Sequence, residues 1–138
     1  ITGGSVSGTS IVATNITAKS TVTFESVVSV SGAAIAKFVT ASVSGDHQIN
    51  LRQSNNFFVY TKGDVSIQTP LNITQGQSGI IYVIQDSVGS NDISFSDVWN
   101  FSGGASISLT QLASAVDGLS YFVRGVSAID VAALKDLK

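Results

Sequence analysis

Gly76-Gln77-Ser78-Gly79-Ile80-Ile81-Tyr82-Val83-Ile84-Gln85 reads as a turn followed by a short apolar strand. Two glycines within four residues break the chain, and the β-branched and aromatic residues after them suit a pleated surface better than a helix. Ile80 to Ile84 carries no polar side-chain group except the Tyr82 hydroxyl. A strand of that composition is expected to be central and covered on both faces. Downstream, Gly89-Ser90-Asn91-Asp92 predicts a hairpin turn into Ile93-Ser94-Phe95.

The same pattern extends in both directions. Upstream, His47 to Gln53 alternates with Ile49 and Leu51 on one face, and Asn55-Asn56 is a turn before a strand over Phe57 to Thr61. Lys62-Gly63-Asp64 predicts a second turn, followed by Val65 and Ile67 on one face. Pro70 belongs at a strand edge or end, because it cannot donate to a ladder. Downstream come Trp99-Asn100-Phe101, a break at Gly103-Gly104, and the alternating pair Ile107 and Leu109. Leu119 to Val126 is another strong strand, and Ile129, Val131 and Ala133 form a last one. Helical turns over 109–115 and 131–137 are the alternatives there. Short strands divided by turns predict an all-β domain over residues 46–138, a small β-sandwich or jelly roll.

Residues 1–45 have a different texture. Ile1, Val6, Ile11 and Ile16 recur every five residues among Gly, Ser, Thr and Ala, then Val22, Phe24, Val28 and Val30 alternate. Lys19, Glu25 and Lys37 are the only charges. A β-prone, uncharged run is an aggregation hazard as a free edge. An extended Ser/Thr/Gly-rich β segment is therefore expected, packed in a homo-oligomer through Val6, Ile11 and Ile16. A repeat solenoid is the alternative.

Composition narrows the function. Charged residues are 12% of the chain, about half the usual share, so Ser, Thr, Asn and Gln must supply the polar surface. The net charge is −2 with no cluster of cations, which argues against nucleic acid as a partner. No apolar run approaches the roughly 18 residues of a spanning helix, and no signal-peptide pattern is present, so a soluble domain without membrane insertion is expected. Without cysteine no thiolate metal site or disulfide framework exists. A chain that starts at Ile1 and lacks methionine is expected to be cut from a longer polypeptide, with Lys135-Asp136-Leu137-Lys138 as its natural end.

The residues offer little chemistry. His47 is the only histidine and sits in Gly45-Asp46-His47, the setting of a turn histidine. One histidine without cysteine cannot build a zinc site. Asp86, Asp92 and Asp97 are close in sequence, but Asp is favoured in turns for its backbone hydrogen bonds, and the stretch 86–92 lacks the ligand spacing of a calcium loop. A weak cation site there is the minor reading. No catalytic, metal or cofactor residues are expected. Trp99 and Tyr121 are the weak candidates for ligand contact, through stacking on a sugar; the core is the other place for Trp99.

Residues 72–86, Asn72-Ile73-Thr74-Gln75-Gly76-Gln77-Ser78-Gly79 and the apolar strand ending at Gln85-Asp86, resemble a module at the C-termini of tailed-phage tail fibres and minor virion structural proteins. Gly89-Ser90, Ser94-Phe95, Trp99-Asn100-Phe101 and Ala115-Val116-Asp117-Gly118-Leu119-Ser120-Tyr121 follow in the order of that module. Leu134-Lys135-Asp136-Leu137-Lys138 departs from it, since such modules often end in a short apolar strand. The resemblance covers residues 46–138. It implies a trimeric virion part without fixing which one, since fibres, spikes and capsid decoration proteins share such modules. With no catalytic residues in view, a non-enzymatic structural domain of a tail fibre or spike on the particle exterior is the expectation. Its partners are then its own copies, other virion proteins, and a host-surface glycan or protein. A capsid decoration or cement protein and a cellular carbohydrate-binding module are the alternatives.

Overall fold

Side-chain alternation organises the sheet. In β2 (Asn56–Ile67), Phe57, Val59, Thr61, Val65 and Ile67 are buried, as period-two pleating requires of a strand with one face on a core. The computed structural model describes residues 17–19, 22, 23 and 27–138, in two units, Ile1–Ala34 and Ile35–Lys138. In the first unit the described residues form no strand, and Val22, Val27, Val28 and Val30 are exposed. Val6, Ile11 and Ile16, the expected oligomer contacts, lie outside the described residues.

The second unit is all-β. Its strands are β1 (Phe38–His47), β2, β3 (Ser78–Ile84), β4 (Ile93–Phe95), β5 (Trp99–Phe101), β6 (Val116–Gly125) and β7 (Ala128–Leu137), with a 3-10 turn at Ser102–Gly104. One sheet joins them in the order β1-β2-β3-β6-β7-β5, and β4 attaches to β2. Ile49, Leu51, Ile81, Val83, Trp99, Leu119, Tyr121, Val123 and Ile129 join the inner face of β2 in one core. The expected boundary after residue 45 falls inside β1. Val39 and Val43 pack on the core, so β1 belongs to the folded unit.

Strand direction is the main departure from expectation. β1, β2 and β3 run parallel: Phe38 pairs with Asn56, and Asn56 with Ile80. Parallel neighbours need crossover connections, and here those connections stack as well. Asn50 bridges Leu71, the Leu51 amide donates to the Leu71 carbonyl at 3.0 Å, and the Leu71 amide donates to Ile49 at 2.9 Å. Ile49 and Leu51 are therefore buried in a stacked loop, not in the strand expected over 47–53. β6 is antiparallel to β3 and to β7.

Three local expectations change. Lys62-Gly63-Asp64 is not a turn between strands; β2 runs through it as an irregularity, with the register slipping opposite Val43 and Gly45. Below it β2 pairs with β3, and above it with β4. Since β3 and β4 both run parallel to β2, residues 89–92 do not close a hairpin. Ile81 and Val83 are buried, but Ile80, Tyr82 and Ile84 are only half-buried, so β3 is covered fully on one face alone. The 131–137 stretch is strand β7 rather than helix.

Candidate functional site

The half-covered face of β1–β3 carries an aromatic stack. In β2 the residues that alternate with the buried set, Phe58 and Tyr60, point outward, and Tyr82 lies in register with Phe58. Phe38 stacks on Phe58 with centroids 4.4 Å apart, and Phe58 on Tyr82 at 5.4 Å, both with planes 22° apart. Such offset pairs contribute about 0.5–1.5 kcal/mol beyond area burial. Beyond Tyr82 the stack is closed by the chain itself, because Gly118 lies opposite Tyr82 and Leu137 fills the space over it. At the other end it is open within this unit. Phe38 is 43% exposed and sits on β1, the terminal strand of the sheet. Ile80, Ile84, Phe122 and Leu134 add to the same outer face.

Behind this face the interior polar groups are satisfied; among the described residues no buried side-chain nitrogen or oxygen lacks a partner. Asn91 Nδ2 donates to Thr61 Oγ1 at 2.9 Å, and Gln85 Nε2 donates to the Asn91 carbonyl at 2.9 Å. These bonds tie loop 85–92 to β2. Asp117 is buried and accepts from Thr110 Oγ1 at 2.8 Å, from the Thr110 amide, and from the Asp136 amide at 2.7 Å. Its carboxylate fastens the end of β7 and the loop before β6, which is a structural role.

A groove of about 550 Å³ opens elsewhere, lined by 92–95, 97, 99–101 and 104–108. Its lining is mixed, polar at Ser94, Asn100, Ser106 and Ser108 and apolar where Phe95 meets Phe101 edge to face at 4.9 Å. Its ionic groups are the carboxylates of Asp92 and Asp97.

The candidates named from sequence are scattered. Trp99 is 5% exposed and donates through Nε1 to the Gln68 carbonyl at 3.3 Å. Tyr121 is 3% exposed, its hydroxyl donates to the Asn55 carbonyl at 3.1 Å, and burial pushes its phenol up to about 12. Both belong to the core and neither offers a ring face to a sugar. His47 ends β1, half-buried, and burial holds its imidazole below the usual value. Asp86 is a turn aspartate: Oδ1 accepts the Gly89 amide at 2.8 Å and the Val88 amide at 2.9 Å, which lowers its pKa. Asp92 binds through its amide to Asp64 and through its carboxylate to Gln111. Among the described residues no three His, Asp or Glu side chains converge as for a metal.

The stack of Phe38, Phe58 and Tyr82 escaped the sequence reading. An outward aromatic at matching height in three successive parallel strands is its signal, but that signal has meaning only once the parallel register is known. The chain matches no family model, no curated protein and no solved structure.

Proposed function

We propose that the chain is a non-enzymatic structural domain of a tailed-phage virion, part of a trimeric tail fibre or spike on the particle exterior that presents its loops to the host surface. The observation that carries the reading is the open end of the aromatic stack at Phe38 on the terminal strand β1. A ten-residue terminal strand with Asp46 as its one acid or base apart from His47 is a template for further pairing unless something covers it. Closed homo-oligomers cover such surfaces with identical ones. The low charge content and the ordered resemblance over 46–138 support the same reading. Imaging intact particles labelled with an antibody to this domain tests it: label on the tail appendage is expected. Label on the capsid shell would favour a decoration protein, and particles without label would overturn a virion role.

A further inference from the structure

The groove lies where the sheet fails to close. Among the described residues β4 pairs only with β2 and β5 only with β7, so each ends the described sheet with an unpaired edge, although only 96–98 separate them in sequence. Across the opening runs the stretch 105–109, extended at Ala105 (φ −97, ψ 148). Among the described residues no backbone–backbone hydrogen bond reaches it. A second crevice of about 560 Å³, lined in part by 131–133 and Lys135 of β7, borders the same stretch. A strap open to both sides, facing a strand edge, leaves peptide groups that a further strand can satisfy.

We propose that the groove receives an extended peptide segment of a partner protein, which adds as a strand beside β4 and sets a basic side chain against Asp92 and Asp97. The volume falls within the roughly 300–1,000 Å³ of ordinary ligand clefts. The two carboxylates, with no cation in the lining, select a basic residue, and Ile93, Ile107 and the ring edges of Phe95 and Phe101 accept an apolar neighbour. A sugar fits less well. Phe95 meets Phe101 at 65° and Trp99 at 67°, so the rings are turned toward one another rather than laid flat along the opening. This inference does not depend on the virion reading.

The test is fluorescence polarisation on the full chain with a labelled hexapeptide of alternating valine and threonine and one central arginine. Micromolar to submillimolar binding is expected, weakened about five-fold or more by Asp97→Lys, by high salt, and by glutamate in place of the arginine. Asp97 is exposed, so the variant is expected to keep its fold, which circular dichroism checks. N-methylating alternate amides of the peptide should abolish binding, since strand addition needs them. Equal binding of the arginine, glutamate and N-methylated peptides would overturn the proposal. So would the absence of binding at about 1 mM, or binding by maltoheptaose with none by the peptides.

Discussion

Tyr82 and Gly118 face each other in register across β3 and β6, and a Cβ on Gly118 would lie 3.3 Å from Cε1 of the Tyr82 ring. The same atom would lie 3.2 Å from Cδ1 of Leu137. Glycine here lets the chain close its own aromatic stack. Both neighbours are side-chain atoms that can yield, so Gly118→Ala is expected to cost about 1 kcal/mol, with part recovered by adding Leu137→Ala. Urea melts of the single and double variants measure it; a full, additive loss would show that Leu137 is not the obstacle.

Gly79 presents the opposite case. A Cβ there would lie 1.8 Å from the Asn55 carbonyl oxygen, which already accepts the Ile80 amide and the Tyr121 hydroxyl at 3.1 Å each. Backbone held by two bonds cannot move aside, so Gly79→Ala should abolish cooperative folding. Gly125→Ala, where nothing lies within 4 Å, should change stability by less than about 1 kcal/mol. Thermal melts of the pair decide it.

Asp117→Asn keeps the size of the side chain but turns an amide NH₂ toward groups that donate. With two backbone amides and the Thr110 hydroxyl converging on it, loss of one acceptor should cost about 1–3 kcal/mol. Hydrogen exchange should show the loosening first at Thr110 and Asp136. Uniform exchange across the domain would contradict the pinning role.

Stability should fall at both ends of the pH scale. His47 is buried enough to disfavour its cation, so the unfolded chain takes up the proton first. Its contribution is full above 6.5 and is lost as pH falls from 6.5 to its lower folded value. The Asp86 carboxylate, held by the Gly89 and Val88 amides, contributes above 3.8 and loses that contribution as pH falls through its depressed folded value. Tyr121 works in the other direction: its neutral phenol is favoured, and that stability is lost as pH rises from 10 to about 12. Melting temperature against pH should show each step, and His47→Gln, Asp86→Asn and Tyr121→Phe should each remove their own.

Half-buried strands were legible because burial imprints a two-residue period, as in Phe57/Val59 and Leu119/Tyr121/Val123. The period says nothing about which strand lies alongside or in which direction, so the parallel stack β1–β2–β3 and the missing hairpin at 89–92 stayed hidden. Lys62-Gly63-Asp64 has turn composition, yet pairing with β1 on one side carries the strand across it. Trp99 and Tyr121 illustrate the limit for sites. A ring with one polar atom suits a sugar and a core equally, and only the acceptors at Gln68 and Asn55 decide for the core. Phe38 carried no mark of its own; its importance comes from being last in a stack.

Light scattering on the full chain, with Phe38→Glu and Ile81→Ala beside it, addresses assembly directly. At micromolar concentration the unmodified chain should show about three times the 14.2 kDa chain mass. Phe38→Glu, which places a carboxylate at the open end of the stack, should yield a folded monomer with cooperative melting. Ile81→Ala, which empties a site 1% exposed, should lose about 2–5 kcal/mol of stability. A monomeric, fully stable unmodified chain, or a Phe38→Glu variant with unchanged mass, would contradict assembly through this edge.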